Sequence, residues 1–144
     1  MKALLLLIAI LSLGLSLAQP VQAGEKSQDG VFIHISHGSD DPHRLLMGLK
    51  MANMMAEMHP VLVYMDVTAV DAVLKDSEDI EKGPFPSSKT QMKSLLEKNV
   101  TIMACPGCLK AMDKSEADLA EGIQIADKMT FFSFAEGKII SFSY

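Results

Sequence analysis

The residues best suited to chemistry are Cys105-Pro106-Gly107-Cys108, which hold both cysteines of this 144-residue chain. At C-x-x-C spacing one thiol lowers the pKa of the other, and backbone N–H groups at a helix start stabilise the resulting thiolate. A thiolate exchanges disulfides or accepts a sulfur atom, so Cys105 becomes the candidate nucleophile and Cys108 its resolving thiol. The bland alternative is a structural disulfide formed in an oxidising compartment, although so small a loop adds little stability through chain entropy. Haem attachment requires His directly after the second cysteine, where Leu109 stands. A structural zinc site wants four ligands, and no second CxxC or CxxH exists. Neither a metal nor a cofactor is therefore assigned. Thioredoxin folds place the motif near the domain start and set a cis-proline opposite it, but no proline follows Pro106.

His37, Asp40 and His43 are the auxiliary candidates. His37 ends an apolar run and could serve as acid, base or ligand. His43 lies near a helix start, where the dipole disfavours its cation, and could point into the same crevice. His34, flanked by apolar neighbours, reads as a hydrogen-bonded core histidine, and His59 beside Pro60 as a solvated helix-end residue. Met47, Met51, Met54 and Met58 fall at helical spacing, with Met55 among them. Soft thioethers suit Cu(I); the simpler reading is that Met fills a helix-on-sheet core.

Strands alternating with helices must position these groups. Strands are expected over 31–36, 61–65, 99–104, 122–126 and 138–144. Helices are expected from Asp40 or Asp41 to about Met58, over 68–75, from a Ser88/Gln91 capping box to Lys98, and over 127–136, with weak helical segments at 109–112 and 116–120. Strands separated by helices imply parallel pairing, and the near-continuous apolar runs 61–65 and 100–104 suit strands covered on both faces. In a flavodoxin-like order the first and third strands are neighbours, which sets the His37–Pro42 loop opposite the CPGC turn at the C-terminal sheet edge. Residues 76–87, with Gly83-Pro84-Phe85-Pro86, form a long loop of the kind that serves as a lid.

The chain opens Met1-Lys2, runs apolar to Leu17 and reaches Val21-Gln22-Ala23, the pattern of a secretory signal peptide over residues 1–23. The apolar run is shorter than the roughly 20 residues of a spanning helix. Gly24 rather than Cys follows the expected cut, which argues against a lipoprotein. Residues 24–144 are expected to form a single periplasmic or secreted domain with no membrane attachment. Cleavage removes Lys2 and no acid, so the mature chain is one charge more negative than the −5 of the whole. An acidic domain excludes nucleic acid as an expected partner.

The strand followed by His37-Gly38-Ser39-Asp40-Asp41-Pro42-His43-Arg44, and the later Leu95-Leu96-x-x-Asn99-Val100-x-Ile102-x-Ala104-Cys105-Pro106-Gly107-Cys108, resemble the DsrE/DsrF-like (YchN-like) sulfur-relay family over roughly 29–144. The resemblance implies an α/β, three-layer αβα sandwich with a five-stranded, mainly parallel sheet, flavodoxin-like or DsrEFH-like. It implies oligomers, homo-oligomeric or mixed, and a persulfide carried on the cysteine that Cys105 matches, with Cys108 releasing or protecting it. The expected function is sulfur or thiol handling through Cys105, with donor and acceptor proteins unidentified. Two other functions compete: a soft-metal (copper) binding module, and a non-catalytic assembly protein with a structural disulfide.

Overall fold

The computed structural model describes residues 29–144; the expected signal peptide lies outside them. Five strands alternate with helices: β1 (Gly30–Ile35), α1 (Pro42–Met55), β2 (Val61–Met65), a 3-10 helix (Val67–Val73), α2 (Ser88–Glu97), β3 (Thr101–Ala104), α3 (Pro106–Ala111), a 3-10 turn (Glu116–Asp118), β4 (Ile123–Ile125), α4 (Lys128–Ser133) and β5 (Ile139–Ser143). Every strand pair is parallel, in the order β4-β3-β2-β1-β5. Three successive crossovers each step one strand sideways, and the last returns the chain across the sheet to the far side of β1.

This order corrects the flavodoxin-like expectation. β2 stands between β1 and β3, so the loop after β1 and the turn after β3 are not neighbours. Strand periodicity fixes which side chains share a face, but not the direction in which a crossover steps.

Alternation sorts the sheet into two unequal faces. Val31, Ile33 and Ile35 of β1, Val63 and Met65 of β2, and Ile102 and Ala104 of β3 share a buried cluster with Leu45, Leu49 and Ala52 of α1 and Met92 and Leu95 of α2. Each fully buried Leu or Ile there contributes about 1.5–3 kcal/mol relative to exposure. The opposite face carries Phe32, His34 and Tyr64. Phe131 of α4 covers it, with its ring centroid 5.4 Å from Phe32 and 5.1 Å from Tyr64. β5 is an edge strand, exposed along most of its length.

Local chemistry explains the helix ends. The Asp41 side chain accepts from Arg44 N, and Pro42 fills the first turn of α1. The helix stops at Met55 rather than Met58, and a turn leads into His59-Pro60, because a residue before proline is driven away from helical geometry. The α2 cap is Ser87, whose Oγ accepts from Thr90 N, not the Ser88/Gln91 box. Ser88 is fully buried; its Oγ accepts from Ile80 N and donates to Asp79. Gln91 turns inward and donates to Pro86 O at 2.8 Å. Both residues anchor the 76–87 loop on the α1–α2 side, where Phe85 lies 5.6 Å from the His43 ring.

The methionines correct another expectation. The buried face of α1 is Leu45, Leu46, Gly48, Leu49 and Ala52. Met51 and Met55 pack partly buried against the core, whereas Met54 and Met58 are exposed. Leucine fills the interior and the methionine row lies along its flank.

Candidate functional site

β3 delivers Cys105 to the C-terminal edge of the sheet. Its N–H still donates to Met65 O at 2.9 Å, so the cysteine is held as if it were one more strand residue. Its φ and ψ of −63° and 117° are extended, which makes it the N-cap of α3, and Pro106 follows in the first turn. Its Sγ accepts from Cys108 N at 3.2 Å, the bond that Ser or Asp usually makes at this position. Both cysteines are free and half-buried. Cys108 Sγ–H donates to Cys105 Sγ at 2.7 Å.

Tyr64 of β2 and the two residues after the strand, Asp66 and Val67, complete the environment. The register pairs Tyr64 with Met103 and Met65 with Ala104, so the next step sets Asp66 beside Cys105. The Tyr64 hydroxyl is among the groups that lower the pKa of the Cys105 thiol. Its ring is stacked 5.8 Å from His34, on the neighbouring strand. His34 Nε2–H donates to Asp66 Oδ1 at 2.8 Å. Val67 N–H donates to Cys108 Sγ at 3.2 Å. Val67 stands at φ +47°, an outlier for a β-branched residue, and such backbone costs about 1–3 kcal/mol.

These contacts polarise the two thiols in opposite directions. Burial alone would raise Cys105, but hydrogen bonds from the Cys108 thiol, the Tyr64 hydroxyl and the Cys108 and Gly107 amides outweigh it and bring Cys105 below the usual thiol value. Burial pushes Cys108 up, as does its donation to Cys105, against a smaller lowering by Val67 N–H. Burial and the neighbouring Cys105 raise Tyr64 as well, which keeps its hydroxyl a donor. The pair releases its first proton easily and holds its second.

His37 and Asp40 form a separate cluster. His37 Nδ1–H donates to Asp40 Oδ2 at 2.7 Å, leaving Nε2 to accept from Arg44 Nη1 at 3.0 Å. The Thr68 hydroxyl donates to Asp40 Oδ1 at 2.6 Å and Gly38 N–H at 2.8 Å. Thr68 first, and then His37, hold the Asp40 carboxyl well below the usual carboxylate range. The loop packs on the 3-10 helix Val67–Val73: a Cβ on Gly38 would overlap Asp71 Oδ1 and reach 2.5 Å from Thr68 O. The expected meeting of this loop with the CPGC turn does not occur, because the end of β2 and this 3-10 helix stand between them. His43 lies with Phe85, outside both clusters.

His34 is hydrogen-bonded as expected but belongs to the cysteine environment. His59, expected to be solvated, is half-buried, with its Nδ1 enclosed and unpartnered among the described residues. Sequence reasoning missed Tyr64, Asp66 and Val67. The period-two pattern of 61–65 could have flagged Tyr64 as a polar-tipped side chain near a strand end, opposite Val63 and Met65. Strand order reverses between β1 and β5, and there a cavity of about 430 Å³ is lined by His34, Ser36, Arg44, Ser143 and Tyr144. His34 thus stands between this cavity and Asp66. No group of three His, Cys, Asp or Glu able to hold a metal ion occurs among the described residues.

A parallel five-stranded α/β sheet of this kind matches a known class. The model of the DsrE/DsrF-like family matches residues 29–136, and the chain belongs to that family. The YchN protein from E. coli is similar in structure, with a TM-score of 0.63 and 18% identity over 81% of this chain and 100% of that one. MTH1491 from Methanobacterium thermoautotrophicum, a protein of unknown function, gives a TM-score of 0.57 and 22% identity over 78% of this chain and 97% of that one. At these identities both share the fold. No curated protein matches the chain.

Proposed function

We propose that this protein handles sulfur or exchanges thiols through Cys105, with Cys108 as the second thiol. The observation that carries this reading is the geometry of the pair: Cys105 Sγ accepts from both the Cys108 amide and the Cys108 thiol, which favours the thiolate at Cys105 and keeps the proton on Cys108. A low-pKa, partly accessible thiolate beside a protonated thiol is the arrangement for accepting a sulfur atom or attacking a disulfide. Membership of a sulfur-relay-type family supports the same reading. In the reaction, Cys105 thiolate attacks the outer sulfur of a persulfide donor R–S–SH. The donor's S–S bond breaks, RS⁻ leaves, and Cys105 carries the new persulfide.

The N-terminal apolar segment supports export to the periplasm or secretion, and we include that location and assembly as a homo-oligomer in the proposal. Fractionation of the expressing cell and size-exclusion chromatography with light scattering test these two points. Treatment with a persulfide donor followed by mass spectrometry tests the chemistry. Wild type is expected to gain one sulfur on the peptide containing Cys105, and Cys105→Ser to gain none there. Wild type that takes up no sulfur, under conditions that load a known acceptor, sinks the proposal.

A further inference from the structure

Val67 breaks an ordinary rule of backbone sterics, and its neighbours show what holds it there. Among the described residues the other non-glycine residues at positive φ are Asn99 and Asp113, whose short polar side chains tolerate that region. Val67 has no such excuse. Its side chain is 60% exposed, so packing does not impose the conformation. No side chain caps its 3-10 helix, and its N–H makes one hydrogen bond among the described residues, to Cys108 Sγ.

We infer that Val67 is a positioning residue: its strained backbone aims an amide N–H at Cys108 Sγ, to stabilise that sulfur as the thiolate that resolves a covalent adduct on Cys105. The inference rests on the function proposed above. In the resting pair Cys108 is protonated and donates to Cys105 Sγ. Once Cys105 is bonded to another sulfur it no longer carries charge, and that acceptor is lost. Burial still opposes ionisation of Cys108, with a smaller push from the Asp66 carboxylate, itself bonded to His34, and the Val67 amide is the group that favours it. Tyr64 faces Cys105 rather than Cys108.

With a disulfide R–S–S–R, Cys105 thiolate attacks one sulfur, the R–S–S–R bond breaks and RS⁻ leaves. Cys108 then gives its proton to solvent or to RS⁻ and attacks Cys105 Sγ; the mixed disulfide breaks and the second RS⁻ leaves. The cysteine pair is oxidised by two electrons and the disulfide is reduced to two thiols. From a Cys105 persulfide the same attack expels HS⁻, which takes the released proton.

The test isolates Cys108 in a Cys105→Ala background and follows its alkylation against pH. Adding Val67→Pro removes the amide proton. Proline holds φ at about −65° and therefore removes both the amide proton and the +47° backbone that aims it; Asp66 before it is already extended, at φ −134° and ψ −171°. The alkylation midpoint of Cys108 is expected to rise by about one pH unit, the effect of one hydrogen bond to a charged sulfur. Val67→Gly keeps the amide, relieves the strain and is expected to leave the midpoint where Cys105→Ala has it. Equal midpoints with and without the proline, in protein shown to be folded by circular dichroism, overturn the inference. NMR supplies a readout independent of substitution at Val67. In Cys105→Ala protein, where Cys108 has no disulfide to attack, the Val67 amide shift is expected to titrate with Cys108, and a shift flat through that titration refutes the inference. Failure of Cys105 to react at all would instead sink the proposed function.

Discussion

Replacing Tyr64 by Phe isolates one hydroxyl. The ring contacts with His34, Phe32 and Phe131 remain, so the fold should be little affected, while the Cys105 thiolate loses one of its donors. A hydrogen bond to a charged group is worth about 1.5–3 kcal/mol. The site is partly open to water, so the low end applies, and about 1.4 kcal/mol corresponds to one pKa unit. The midpoint of Cys105 alkylation by iodoacetamide should therefore rise by about one pH unit. Below both midpoints the thiolate fraction falls about tenfold, but a more basic thiolate is the stronger nucleophile, by roughly threefold per unit at a Brønsted slope of 0.4–0.5. The variant should react roughly threefold more slowly than wild type at low pH and roughly threefold faster at high pH, so the two profiles cross. Parallel profiles with an unchanged midpoint would refute the assignment of Tyr64 as a thiolate donor.

Three further outcomes follow from the same contacts. The lowered Cys105 contributes stability that is full above the unfolded thiol pKa and lost as pH falls through its folded value; the raised Cys108 contributes stability that is full below the unfolded value and lost as pH rises through its folded one. Urea midpoints of reduced protein across alkaline pH should thus peak near the free-thiol pKa, and the peak should vanish in Cys105→Ala/Cys108→Ala. Gly38→Ala should cost about 2 kcal/mol by overpacking against Asp71 and Thr68, measured by equilibrium unfolding. Phe131→Ala should cost about 2 kcal/mol, because it strips Phe32 and Tyr64 of their shared aromatic partner; a thermal midpoint equal to wild type would contradict that.

Much of the architecture was legible because its signals are local. The apolar runs around Val61 and Ile102 announce strands covered on both faces, and Asp41-Pro42 announces the start of α1. The strand-to-helix position of the CPGC turn was legible because an apolar run leads into it and Pro106 opens the next helix. Strand order was not legible, since β1 carries no mark of whether its crossover steps toward β2's present side or the other, and the misplacement of the His37 loop follows from that. Val67 was hidden for a different reason: nothing in a β-branched residue announces positive φ, and only the sulfur it faces accounts for it. Tyr64 and Asp66 could be placed on one face of β2 by alternation, but their partners come from strands and turns distant in sequence. Ser88 and Gln91 looked like a cap because the pattern is generic, whereas tertiary contacts to Ile80, Asp79 and Pro86 claimed both side chains.

The unequal cover of the two sheet faces has a consequence for how the molecule breathes. One face is sealed by two long helices that pack on each other, and the other depends for its aromatic cover on the six-residue α4. Segments with few buried contacts open at a lower free energy than the globule as a whole. Detachment of α4 is therefore a cheap excursion: it uncovers Phe32 and Tyr64 while the Leu45–Leu95 side stays closed. The amides of α4 and β5 should exchange with solvent well before those of β2. The aromatic cover over the Tyr64 ring can thus loosen at a cost far smaller than unfolding.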